Sequence, residues 1–228
     1  MTASPQDGAW GQVEGGVALL TLFRPEKRNA LDTRTVRQVL LALQEWATDD
    51  AVRVVVLAGE GKSFCAGADL TEFRGASAGN EKRLLAERTE LLHELVRRVE
   101  HYPKPLGAAV NGAAVGMGAV LVLAADFALF GENARLAFPE VAIGRVPTVV
   151  VPPLVRAVGP RQAFALLMEG RVLDAQGAVA HGLASRVVDD EQVVTETLAA
   201  ARSMAQLDPA VVRATKALIE ECSSASLQ

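Results

Sequence analysis

The sequence predicts an α/β fold built on parallel strands, with a helical region at its C-terminal end. Three observations carry this prediction. Strand-like and helix-like segments alternate along most of the chain. Two of the strands, "VRVVVLAG" and "LGAAV", are apolar throughout, as strands covered on both faces must be. From about residue 190 the pattern turns wholly helical. We therefore expect a core over 1–189 and a helical region over 190–228, with no linker, repeat or low-complexity run between them.

The opening "MTASPQDGAW" has no basic stretch followed by an apolar one, so it reads as a short frayed tail and not as a signal peptide. "QVEGGVALLTLFRP" reads as a hairpin turning at Gly15 and Gly16, its second strand closed by Pro25. A helix follows, capped by Asp32 or Thr33, with Val36, Val39, Leu40, Leu43 and Trp46 at helical spacing. After the "VRVVVLAG" strand, residues 81–101 form a second helix with Leu84, Leu85, Leu91, Leu92, Leu95 and Val99 on its apolar stripe. Its charged residues from Glu81 to Arg88 are expected on the solvated face, and Pro103 and Pro105 end it.

"LGAAVNG" is the next buried strand. Positions 107–125 carry no charge for 19 residues, which is membrane-span length, but four glycines and Asn111 inside them favour a buried turn and core segment. Short strands around "FALF" and "RLAF" are parted by the turn "GENA". Helical stretches follow near 149–158 and 160–169, and Asp208 with Pro209 opens a last helix.

Composition narrows the function. Half of the residues are apolar and 22% are charged, which suits a folded domain. The balance of 23 basic to 27 acidic residues, a net charge of −4, offers no general field for a polyanion, so nucleic acid is not expected as a partner. Cys65 and Cys222 are apart, and His93, His101 and His181 are scattered, so neither a disulfide framework nor a metal-ligand set is expected. A reducing cytoplasm fits.

The glycine loop "GMGAVL" lacks the sixth-position glycine or alanine of a dinucleotide fingerprint, and no Walker lysine or G-x-S-x-G elbow is present. Two loops remain, "SFCAGADL" and "NGAAVGMG", each after a buried strand. Small residues there let a ligand approach bare backbone, and free amides at a helix start can donate to a developing negative charge. For either loop alone, simple packing of strand on helix is the favoured reading.

"RPEKRNAL", "SFCAGADL", "KPLGAAVNGAAVGMG" and "FPEVAIGRVP" stand in the order and approximate spacing of the crotonase, or enoyl-CoA hydratase/isomerase, superfamily, which the chain resembles from about residue 12 to 216. The resemblance implies a crotonase-like spiral of ββα units with a helical C-terminal region, assembled as a homotrimer or homohexamer. It implies an acyl-CoA substrate, no membrane partner, and no cofactor or metal beyond the coenzyme A of the substrate itself. The backbone N–H groups of Ala68 and Met117 would form the oxyanion hole. Family hydratases use two glutamates; here the first position is Val120 and the second is Glu140. Paired carboxylates can divide base and acid roles in water addition, whereas one suffices to carry a proton between two carbons.

By the same resemblance, Lys27, Arg28 and Ala30 would border the coenzyme A. Ala66, Gly67, Asp69 and Leu70 would follow its adenine and pantetheine arm, with Gly116 at the acyl end. Arg24, Lys27 and Arg28 form a basic patch suited to phosphates, with a solvated turn as the plain alternative, and Asp69 reads equally as a structural cap. Arg145 lies where it could meet a carboxylate on the acyl group. Loops such as 72–82 are expected to wall the acyl pocket, and the short C-terminal end implies a more exposed coenzyme A or an altered subunit contact. Enoyl-CoA hydratase is the leading expectation. Δ3,Δ2-enoyl-CoA isomerase, a decarboxylase or carbon–carbon bond enzyme using the same enolate, and a catalytically impaired acyl-CoA-binding trimer are the alternatives.

Overall fold

The computed structural model describes residues 8–72 and 77–225. Residues 1–7 of the expected tail, 73–76 of the expected pocket wall, and 226–228 lie outside them. The strands are β1 (Gly8–Glu14), β2 (Val17–Phe23), β3 (Val54–Gly59), β4 (Ser63–Cys65), β5 (Leu106–Val110), β6 (Ala113–Val115), β7 (Phe127–Gly131), β8 (Arg135–Ala137), β9 (Leu173–Asp174) and β10 (Arg186–Val188). The helices are α1 (Thr33–Thr48), α2 (Ala78–Glu100), α3 (Met117–Ala124), α4 (Val151–Glu169), α5 (Ala175–Ala180), α6 (Val193–Ala205) and α7 (Pro209–Ala225).

The strands make two sheets. The larger has the order β1-β2-β3-β5-β7-β10 and the smaller β4-β6-β8-β9. Only the β1–β2 hairpin and the β8–β9 pair are antiparallel among them. The pairs β3/β4, β5/β6 and β7/β8 each place one strand in each sheet and are followed by α2, α3 and α4, so the chain winds as a spiral of ββα units. Alternate side chains of β3 face opposite ways, as strand geometry requires. Val55 and Leu57 join the main core, while Val54, Val56 and Ala58 join a second cluster with Leu198 and Ala201 of α6. The helical stretch after residue 190 thus begins by covering the outer face of the large sheet. Further along, Lys216 of α7 is tied to Asp126 at 2.7 Å.

Local chemistry explains the element ends. Asp32 caps α1 by accepting from the Thr35 N–H at 2.7 Å. Gly159, at φ 75° and ψ 164°, and Pro160 break α4 into the two stretches that the sequence predicts. Two expectations need correction. The tail contributes Gly8–Trp10 to β1, where they pair with β2. The two glycine-rich loops begin with the short strands β4 and β6, too brief for alternation to reveal. Strands β9 and β10 were likewise too short to read in advance.

Candidate active site

β4 and β6 are parallel neighbours, so the segments leaving them emerge at the same edge of the small sheet. There the two loops touch. A Cβ on Gly67 would stand 2.8 Å from the Val115 carbonyl and 3.4 Å from the Met117 nitrogen, and Gly67 has φ +89°. No side chain fits that contact. A Cβ on Gly118 would stand 2.1 Å from the Cys65 carbonyl, so α3 can lie this close to β4 only with glycine at that place. Burial pushes the Cys65 thiol up to about 12, which makes it a packing group and not a nucleophile.

Backbone pairing leaves two amides over. Ala68 bridges Leu31, but the bridge uses the neighbours: Leu31 N–H donates to the Gly67 carbonyl at 2.8 Å, and Asp69 N–H to the Leu31 carbonyl at 2.9 Å. The N–H of Ala68 itself has no acceptor among the described residues. Met117 is the first residue of α3, whose first internal bond runs from Val120 N–H to the Gly116 carbonyl at 3.0 Å. Its N–H is one of the orphan donors of a helix start, where the peptide dipoles add a partial positive charge.

Glu140 follows β8, which is held to the glycine loop by Gly116 N–H donating to the Ala137 carbonyl at 2.9 Å. Its Oε2 is buried with no hydrogen-bond partner among the described residues. Burial raises its pKa above the ordinary carboxylate value, and a bond from its own backbone N–H offsets part of that. Val120, in contrast, is fully buried in the apolar core. The cleft holds about 860 Å³ of space, part of it open to solvent, and is lined by Ala66, Gly67, Ala68, Leu70, Gly116, Met117 and Glu140 together with Arg88 and Arg145.

The basic patch is reshaped. Arg24 is buried, donating to the Ala30 carbonyl at 2.7 Å and to Asp69 Oδ2 at 3.1 Å, with Asp32 Oδ2 at 3.3 Å. It clamps the "RPEKRNAL" loop to the β4 loop instead of facing solvent. Asp69 is the other half of that clamp. Its Oδ1 accepts from the Thr71 N–H and hydroxyl. Burial alone would raise its pKa, but Thr71 and Arg24 outweigh it and hold the carboxyl below the usual range. Lys27 and Arg28 are exposed, and the Arg28 carbonyl accepts from Ala66 N–H at 2.9 Å, so their turn borders the cleft loop. Lys27, Arg28, Ala30 and Asp69 are absent from the cleft lining.

Arg88 corrects the expected solvated face of α2. It is 5% exposed, donates to the Asp69 carbonyl, and has Glu72 Oε2 at 3.5 Å. The signal for it lay in the spacing: Arg88 stands three residues after Leu85 and four before Leu92, on the buried stripe itself. Among the described residues no cluster of His, Cys, Asp and Glu could hold a metal ion, and no helix is long and apolar enough to cross a membrane.

A family model described as enoyl-CoA hydratase/isomerase matches residues 12–228. A protein of Thermus thermophilus is 43% identical over 210 residues, covering 91% of this chain and 82% of its own. The 2,3-dehydroadipyl-CoA hydratase of Escherichia coli is 36% identical over 213 residues, 93% of this chain and 81% of its own. The crystal structure of an enoyl-CoA hydratase/isomerase from Xanthobacter autotrophicus superposes with a TM-score of 0.88 at 31% identity, covering 96% of this chain and 81% of that one.

Proposed function

The chain belongs to the enoyl-CoA hydratase/isomerase family, and from that premise we propose that it hydrates a 2-enoyl-CoA ester, with Glu140 as its one catalytic carboxylate. The observation that carries this is the carboxyl of Glu140, whose Oε2 is buried and unpartnered among the described residues and whose Oε1 lies beside Gly116, one residue from the Met117 amide. The thioester oxygen would accept from the N–H groups of Ala68 and Met117, which are worth several kcal/mol to an enolate and little to the ground-state carbonyl. A neutral carboxyl, the form that burial favours, can serve both ends of water addition. It gives its proton to Cα as the water oxygen bonds Cβ, and its other oxygen takes the proton that the water loses. The carboxyl ends as it began, and no redox step is involved.

A second reading, isomerisation of a 3-enoyl to a 2-enoyl ester, is favoured by one observation: the side chain at position 120 is a buried valine. Ionised Glu140 would take a proton from the α carbon and return it to the γ carbon, again through the enolate. Incubation with matched 2-enoyl- and 3-enoyl-CoA esters separates the two. Hydration yields a 3-hydroxyacyl ester, whereas isomerisation shifts the double bond with no gain of water. Turnover of neither, with acyl-CoA binding intact, overturns both in favour of a binding protein.

The exposed turn of Lys27 and Arg28, joined to Ala66, would face the phosphates of coenzyme A, with Ala30 beside them and Gly67 and Leu70 along the pantetheine arm. Asp69 would act there only by holding its loop. Phe164 and Met168, four residues apart on α4, and Val172 beyond it are exposed apolar groups. They support a homotrimer or a homohexamer, which light scattering would establish. Two free cysteines suit a reducing cytoplasm.

A further inference from the structure

Among the described residues, the ionisable side chains lining the cleft are Arg88, Glu140 and Arg145, two cations and one carboxyl whose burial favours its neutral form. The apolar groups around them include Leu70, Leu92 and Ile143. The two arginines are held differently. Arg88 is buried and engaged with the Asp69 carbonyl and Glu72. Arg145 is exposed at the rim, and no carboxylate of the described residues pairs with it. Its backbone is nevertheless fixed to the catalytic turn, since Arg145 N–H donates to the Glu140 carbonyl at 2.8 Å and Gly144, at φ +72°, closes that turn. The backbone that carries this cation is thus fixed to the backbone of Glu140.

We infer that Arg145 receives an anionic group on the far end of the acyl chain, so that the preferred substrates are acyl-CoA esters bearing a terminal carboxylate. This rests on the acyl-CoA reading above and deepens it. A guanidinium presents paired donors that match a carboxylate, and closing an acyl chain between it and Ile143 would remove water from the pair. A neutral chain of the same length would leave Arg145 to solvent and gain only its apolar contacts.

The experiment compares a saturated six-carbon acyl-CoA with its terminal-carboxylate counterpart, by titration calorimetry on the full chain, wild type against Arg145→Met and Arg145→Lys. The carboxylate ester should bind the wild type more tightly by roughly five- to twentyfold, the range of one partly exposed to fully desolvated ion pair. Arg145→Met should abolish that preference while leaving the neutral ester unchanged, and Arg145→Lys should keep part of it. Equal weakening of both esters by Arg145→Met would assign the arginine to the coenzyme A phosphates, and no preference in the wild type would remove its role; either overturns the inference. Binding is read without turnover, so a failure of the enoyl-CoA reaction itself appears separately, as absent activity on both 2-enoyl esters.

Discussion

Gly116 and Glu140 share one space: a Cβ on Gly116 would stand 2.6 Å from Glu140 Oε1. The glycine is also at φ +53°, the left-handed region that side chains rarely adopt. Gly116→Ala should therefore push the carboxylate out of place while costing about 1–3 kcal/mol in backbone strain, since its ψ of −115° lies outside the αL well. We expect turnover to fall about 100-fold, as misplacement of a catalytic group by an ångström can cause, with the melting temperature lowered by a few degrees. Steady-state kinetics and a melting curve on the same preparation check both parts.

Glu140→Gln keeps the shape of the side chain and removes its proton chemistry. The turnover number should drop by about 10²- to 10⁴-fold, the usual worth of a positioned acid or base. Affinity for a saturated acyl-CoA ester should hold, because the oxyanion donors Ala68 and Met117 are backbone groups that the substitution does not touch. An unchanged trace activity in this variant would instead mark a binding protein.

The raised pKa of Glu140 gives the two candidate reactions opposite pH limbs. Hydration through the neutral carboxyl loses rate as pH rises through the raised value, whereas isomerisation by the carboxylate loses rate as pH falls through it. A pH profile of kcat on each ester measures this directly. Stability follows the same group. Between the unfolded pKa and the higher folded one, the folded state binds more protons, so stability falls as pH rises across that window. Glu140→Gln should remove this slope and leave the protein as stable as wild type, or more so, at alkaline pH.

How far these features could be read in advance depended on the length of chain that carried each signal. The hairpin at Gly15–Gly16, a cap at Asp32 or Thr33 and the continuous apolar run of β3 were legible because each rests on a local pattern of several residues. The apposition of Gly67 and Met117 was legible only as what the family resemblance implied for the Ala68 and Met117 amides, not from the strands themselves. It depends on β4 and β6 pairing in parallel across about 50 residues of intervening chain, and three-residue strands leave no periodicity to read. Arg24 and Arg88 show the opposite failure. Charge points Arg24 to phosphates or a solvated turn and Arg88 to a solvated face, while the carboxylates that make burial tolerable, Asp69 and Glu72, come from a loop that neighbours them only in the fold.

Because the β4 loop is held by Arg24, that residue should govern stability more than coenzyme A affinity. Its guanidinium reaches the Ala30 carbonyl, Asp32 and Asp69, all on segments that meet at Ala68. Arg24→Ala removes one side of a buried pair and leaves the Asp69 carboxylate short of its partner, which should cost about 3 kcal/mol. The pH dependence identifies the cause. Asp69 has a lowered folded pKa, so its contribution is present above the unfolded carboxylate value and is lost as pH falls through the lower folded one. Urea unfolding of wild type and Arg24→Ala at a series of pH values should show the difference between them shrinking as Asp69 is protonated. A difference that stays constant down to the acid limit would mean that Arg24 acts through its backbone contacts alone. Affinity for coenzyme A should change little in this variant, whereas removing the charges of the exposed Lys27 and Arg28 should weaken it with no loss of stability.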